Sequence, residues 1–353
     1  LVGERGTDAR DNGYWFYRYL RTQHPELHTY YVITADSPDA AKITALGGAV
    51  QRGSFRHYLL YYCADYLVGT HVQPCAPDLM VHYHLAAKGL RARGKQAFLQ
   101  HGVIMSEMQW MHRENLYLDL FVCGAKPEYE YIRDTYGFAP QVTRYLGLAR
   151  WDNLLQAGQA PCKKMILLMP TWRGSHYPEG EAFLDTPYYK AFDSLLNSAR
   201  LDALLEQHGY TLVFYPHIEM QKHLSRFHAR SERVVLADSS MYDVQQLLLD
   251  CALLITDHSS VFFDVAYLEK PELYYQFDEA DYQRYHYQKG YFDFARDGFG
   301  PVCTTEVALL QALETALQSG MQMPPEYKAR TAAFFPLRDT QNCARTYEAI
   351  CGL

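Results

Sequence analysis

Apolar positions along the chain alternate between two spacings. Short apolar runs, too short for a helix, give way to polar turns, and the turns lead into segments with apolar residues three and four apart. The runs predict strands at Val2–Gly3, His28–Thr34, Tyr66–Gly69, Ala97–Leu99, Asp119–Gly124 and Val142–Leu146, then at Met165–Met169, Thr211–Tyr215, Val234–Leu236, Ala252–Ile255 and Leu273–Tyr275. Between them the spacing predicts helices, among them one presenting Tyr14, Tyr17 and Leu20, then Asp39–Leu46, Arg56–Cys63, Pro127–Tyr136, a long helix through Leu195–Leu205, Tyr242–Leu249, Glu306–Gln318 and Pro324–Phe334. Strands and helices in strict turn predict an α/β protein with mostly parallel sheets covered on both faces.

The alternation is interrupted once. Gln156 to Pro161 is small and polar, as a linker would be, which predicts a first domain over 1–157 and a second over 158–338. A closing helix within 339–353 is expected to cross back to the first domain. The organising stretch is 252–275, a βαβ unit. In its first turn Asp257, Ser259 and Ser260 offer side-chain oxygens for a helix start, and Val261, Phe262, Val265 and Leu268 follow at helical spacing up to Pro271. Such a turn, at the carboxyl end of a strand, can hold a phosphate.

Composition narrows the function. The chain has 353 residues and a formal net charge of −7, which argues against a general nucleic-acid binder. Its 8 cysteines are scattered without a C-x-x-C pair and read as reduced, buried thiols of a cytosolic protein. No run approaches the roughly 20 apolar residues of a membrane span. The opening Leu1-Val2-Gly3 lies in mid-pattern and suggests part of a longer polypeptide.

Candidate chemistry collects at strand ends: His101 and Gly102 after one run, Arg150 after another, then Thr171 and Arg173, His217, and the turn at Asp257 to Ser260. Arg173 suits a forked pair with phosphate, or a structural salt bridge. No D-x-D pair, H-E-x-x-H or Walker-type loop is present, so no dedicated metal or cofactor site is expected. His82 and His84 would share one face of a strand but lack a third ligand. Lys88, Arg91, Arg93 and Lys95 form a basic segment that reads as solvated surface or as an anion contact.

Four of these segments carry a resemblance: Phe98-Leu-Gln-His-Gly102, Gly147-Leu-Ala-Arg-Trp-Asp152, Met169-Pro-Thr-Trp-Arg173 and Thr256-Asp-His-Ser-Ser-Val-Phe-Phe-Asp264, with Glu4 to Gly13 at the start. Their order and spacing resemble the CDP-glycerol glycerophosphotransferase family, the teichoic-acid and capsule polymerases and primases. The resemblance implies a GT-B fold, two Rossmann-like domains facing across a cleft. It implies transfer of an alditol phosphate from a CDP-linked donor to a hydroxyl of a polymeric or lipid-linked glycan, with release of CMP, at the inner face of the cell membrane. The family's two essential histidines map onto His101 and His217. Thr171, Arg173, Asp257, Ser259 and Ser260 would bind the donor diphosphate, with Gly102, Arg150 and Asp264 in support. Ile218, not proline, follows His217, and His258 stands where the family has tyrosine, adding a titratable group near the phosphates. A GT-B glycosyltransferase using a nucleotide sugar and a non-catalytic polysaccharide-binding module are the alternatives.

Overall fold

The computed structural model describes residues 1–174, 177–285 and 288–353. They form two compact units: residues 1–103, 108–156 and 335–353 make the first, and residues 104–107 and 157–334 the second. Each is an α/β unit built on its own parallel sheet.

Strands are numbered in chain order: β1 (Val2–Gly3), β2 (Tyr31–Ile33), β3 (Ala49–Gln51), β4 (Tyr66–Gly69), β5 (Lys95–Phe98), β6 (Ser106–Glu107), β7 (Leu120–Cys123) and β8 (Thr143–Tyr145). All but β6 join one parallel sheet in the order β3-β2-β1-β4-β5-β7-β8, with Val2 beside both Tyr31 and Val68. The second unit adds β9 (Met165–Leu168), β10 (Thr211–Phe214), β11 (Val234–Leu236), β12 (Leu253–Thr256), β13 (Glu272–Tyr275), β14 (Gln288–Lys289) and β15 (Val302–Cys303). Its parallel sheet runs β11-β10-β9-β12-β13-β15, while β14 pairs antiparallel with β6. β9 and β12 are buried along their whole length, as strands covered on both faces must be.

The strand order turns back between β1 and β4 in the first sheet and between β9 and β12 in the second. At such a point the crossovers leave in opposite directions, and a crevice opens at the strands' carboxyl ends.

The Asn12–Gln23 helix buries Phe16, Tyr17 and Leu20 on the first sheet, and Cys343 and Ile350 of the Asn342–Cys351 helix join the same core. Asp152 fixes that last helix. One of its carboxylate oxygens accepts from Asn342 N (2.9 Å) and Asn342 Nδ2 (2.7 Å), the other from Cys343 N (2.9 Å), so otherwise unpaired helix-start N–H groups are satisfied. Gly147 lets them meet: its φ is +80°, and a Cβ there would lie 1.8 Å from Asn342 Oδ1.

Three expectations need correction. The long helix through Leu195–Leu205 is two helices, Pro187–Leu196 and Ala199–His208. Asn197 and Ser198 break it: the Asn197 amide bonds Asp193 O (2.8 Å) and His228 O (3.1 Å), and Ser198 caps the second helix, choices that short polar side chains offer the backbone. The helix after β12 spans only Phe262–Tyr267, because Ser259 to Val261 form a turn ahead of it. His82 and His84 lie in the helix Leu79–Ala87, where residues two apart do not face one way.

Candidate functional site

In the first unit the backbone bends sharply after β5. Gln100 has a φ of +64°, a conformation that costs a non-glycine residue about 1–3 kcal/mol. Its buried amide holds it there by donating to Val122 O (2.7 Å) and Glu128 Oε1 (3.0 Å), while Glu128 Oε2 accepts from Gly124 N (2.7 Å) and Ala125 N (3.2 Å). The bend delivers His101 to the sheet's carboxyl edge with its side chain 65% exposed. Half-buried Gly102 follows.

Asp11, which caps the Asn12–Gln23 helix, lies at the centre of the cluster. Its Oδ2 is 2.5 Å from His101 Nδ1, and its Oδ1 accepts from Arg150 Nη1 at 2.7 Å. The same Arg150 nitrogen donates to His101 O (2.8 Å). Asn12 completes the frame, accepting from Arg150 N (3.1 Å) and donating to Gln100 O (2.8 Å). Burial would raise the Asp11 pKa, but the charges of His101 and Arg150 outweigh it and bring it down to about 2. A carboxylate can only accept, so the His101 Nδ1 carries the proton and Nε2 is the basic nitrogen.

In the second unit the crevice between β9 and β12 gathers Thr171, Arg173 and the turn from Asp257 to Ser260. Asp257 Oδ1 accepts from Thr171 N (2.8 Å) and His258 N (2.6 Å), tying the two strand ends together. Arg173 is buried and occupied. Its Nη2 is 2.7 Å from Asp257 Oδ2, a close charge pair without hydrogen-bond alignment. Its Nε and Nη2 donate to Asp278 at 2.7 and 3.1 Å. Burial opposes the charge of Arg173, but the two carboxylates hold it protonated. The forked geometry is therefore directed at Asp278 and not at an open phosphate site.

Ser259 and Ser260 are open in the sense that Arg173 is not. Both are half-buried, and among the described residues neither their hydroxyls nor the N–H groups of Ser259, Ser260 and Val261 have a protein partner. Converging unpaired donors of this kind suit an anion. Asp264 is buried within the short helix that follows. His217, half-exposed after β10, accepts at Nδ1 from Glu219 N (3.2 Å) and lies parallel to Trp172, with ring centroids 6.1 Å apart.

His258 departs from expectation. Its ring is buried, stacked on Tyr282 at 3.8 Å and 9°, and burial above all pushes its pKa down to about 4. It is neutral near pH 7 and adds no titrating charge there. Between about pH 6.5 and 4 the unfolded chain binds a proton at this position that the folded chain does not. The stability contribution is thus whole above the unfolded value and declines as pH falls through that window, by roughly 3 kcal/mol. His258→Tyr should flatten this part of the curve. Urea midpoints of parent and variant from pH 4 to 7 check it, and parallel curves would refute it.

Asp11, Asn12, Gln100 and Asp278 join the candidate site residues although the sequence reading did not select them. Asp11 ends the polar loop that follows β1 and Asn12 begins the first helix, a signal visible once that loop is placed at the end of β1. Asp278 gives no local signal.

The comparisons with known proteins bear on the whole chain. A family model described as CDP-glycerol:poly(glycerophosphate) glycerophosphotransferase matches residues 2–352. The minor teichoic acid biosynthesis protein GgaB of Bacillus subtilis (strain 168) is 29% identical over 366 residues, covering 100% of this chain, and the chain spans 39% of that relative's length. A solved structure of a variant of the wall teichoic acid polymerase TagF soaked with CDPG superposes with a TM-score of 0.70 at 19% identity, covering 100% of this chain and 89% of that one. A putative UDP-N-acetylglucosamine 2-epimerase from Listeria monocytogenes gives 0.58 at 14% identity, covering 99% and 95%.

Proposed function

The chain belongs to the CDP-glycerol:poly(glycerophosphate) glycerophosphotransferase family, and from that premise we propose that it transfers glycerol phosphate, or a related alditol phosphate, from a CDP-linked donor to a hydroxyl of a teichoic-acid-like or capsular polymer. The observation that carries this reading is the Asp11–His101 pair at the carboxyl edge of the first sheet, which leaves a basic Nε2 toward solvent.

His101 acts as general base. The acceptor oxygen attacks the phosphorus that bears the alditol, its proton passes to His101 Nε2, the bridging P–O bond breaks, and CMP leaves with the electron pair. A positioned base contributes about 100- to 10,000-fold. Asp11 fixes the tautomer and stabilises the imidazolium that forms, and Arg150 holds Asp11. On the second unit, the N–H groups and hydroxyls at Ser259 and Ser260 receive the donor diphosphate, with Thr171 beside them. Donors fixed in advance stabilise the charge that grows on CMP. His217, acting through Nε2, steadies the transferred phosphoryl group. Arg173 and Asp257 act indirectly, by keeping the two strand ends in register.

No helix among the described residues is long and apolar enough to cross a membrane. Contact with the inner face of the cell membrane is part of the proposal, through a polymeric or lipid-linked acceptor.

The test is donor profiling with CDP-glycerol, CDP-ribitol and a set of nucleotide sugars. CMP released from a CDP-alditol, and lost in His101→Ala, is the expected result. Release of a nucleoside diphosphate from a nucleotide sugar would move the chain to the glycosyltransferases. Polymer binding with no donor consumed would make it a binding module.

A further inference from the structure

We infer that the carboxyl edge of the first sheet carries an anion subsite, formed by Arg5, Arg52 and His71 beside His101, that takes a phosphodiester of the acceptor. The inference rests on the transferase reading above and narrows its acceptor.

The sheet's register puts these residues together. Gly3 of β1 pairs with Gly69 of β4, and Gly69 pairs with Phe98 of β5, so the segments that follow these strands emerge side by side. His71, two residues past β4, faces His101 with ring centroids 6.4 Å apart and planes 30° apart. Its Nδ1 is engaged by Thr70 Oγ1 (3.1 Å), which leaves its Nε2 available. On the other side of β1, Thr34 N donates to Gly6 O (2.8 Å) and Arg52 N to Ile33 O (3.1 Å), which brings the ends of β1, β2 and β3 level. The Arg52 side chain lies over Gly6, whose φ is +87°: a Cβ there would be 2.5 Å from Arg52 Cδ and 3.3 Å from Nη1. Glycine at this position brings the guanidinium against the peptide next to Arg5.

Charge pairing shows which cations are left over. Arg10 and Lys42 are paired with Asp39, and His101 and Arg150 with Asp11. Glu4 accepts the N–H groups of Arg10, Asp11 and Tyr14. Arg5 and Arg52 are exposed, and among the described residues neither has an ion-pair partner within 4.0 Å. Of the nearby carboxyls Glu4 and Asp8 make no such contact; burial pushes both toward their neutral forms, at Asp8 against the opposing charge of Arg5. Partial enclosure above all brings the His71 pKa down to about 4, so it is neutral near pH 7 and can donate through Nε2 without adding charge. Two unpaired guanidinium groups and a neutral imidazole suit a phosphodiester, which offers two oxygens and one negative charge.

A phosphodiester bound here would belong to the acceptor, since its neighbour within the first unit is the proposed base, His101, which takes the acceptor's proton. The preferred acceptor is then a chain whose end already carries phosphate-linked units, and the enzyme extends such a chain in preference to starting one on a neutral hydroxyl.

The test compares the parent with Arg5→Gln/Arg52→Gln on two acceptors, a synthetic glycerol phosphate trimer and a neutral oligoglycerol of equal length. The KM for the trimer should rise about tenfold or more in the double variant while the neutral acceptor's KM and the donor's KM stay put, and high salt should narrow the difference. Equal KM values for the trimer, or equal losses on both acceptors, would overturn the subsite. Calorimetric titration of the trimer without donor keeps the two readings apart. Binding by the parent that the double variant loses supports the subsite even if no donor is turned over, whereas no binding, or equal binding, refutes it even if CMP is released.

Discussion

Asp11→Asn is expected to lower kcat for CMP release by about 100- to 10,000-fold while leaving the protein folded. The size follows from the direction of one hydrogen bond. Asp11 Oδ2 lies 2.5 Å from His101 Nδ1 and, as a carboxylate, keeps the proton on that nitrogen. An asparagine amide placed there donates instead, so the proton moves to Nε2 and the base is lost with its position intact. The amide oxygen still faces Arg150 Nη1, now 2.7 Å from Asp11 Oδ1, so the cluster need not come apart. Donor KM should change little, because donor binding is assigned to the other unit. Single-turnover CMP release and thermal melts of parent, Asp11→Asn and His101→Ala test this together. A folded Asp11→Asn protein with parental kcat would remove Asp11 from the mechanism.

Arg173→Ala should cost about 3–5 kcal/mol, because it leaves Asp257 and Asp278 buried without their shared cation. That is a large share of the 5–15 kcal/mol typical of a folded domain. The loss would be felt first at the strand ends: Asp257 also accepts the Thr171 and His258 N–H groups, so a displaced carboxylate releases the turn that leads to Ser259. Adding Asp278→Asn should recover part of the stability by removing one of the two charges. Urea unfolding of the three proteins decides the matter. A loss under about 1 kcal/mol in Arg173→Ala, combined with a large rise in donor KM, would show that Arg173 serves the donor directly and not the fold.

The parallel architecture was legible because buried strands such as Leu253–Thr256 are continuous apolar runs that end abruptly in polar turns. The positions of His101, Thr171 and Ser259 at strand ends followed from the same pattern. Their local environments did not. Arg173 read as a phosphate fork because nothing near it in sequence announces Asp278, 105 residues away. His258 read as a titratable group near the phosphates because the ring that stacks on it, Tyr282, lies across a crossover. Asp11 was passed over because an aspartate before a helix is ordinarily a cap, and here it is a cap on one oxygen face and the partner of a histidine on the other. The broken helix at Asn197 and Ser198 shows the limit of periodicity: the apolar spacing carries through the break, and only side-chain competition for backbone groups marks it.

The last helix, clasped by Asp152, closes the core that the first helix opens, although the whole second unit is encoded between them. During synthesis the leading half therefore leaves the ribosome with one side of its interior uncovered and acquires its final wall only after residues 157–334 have been made. The proposed base, His101, sits on that delayed half, so its setting reaches its final form only once the tail has folded back.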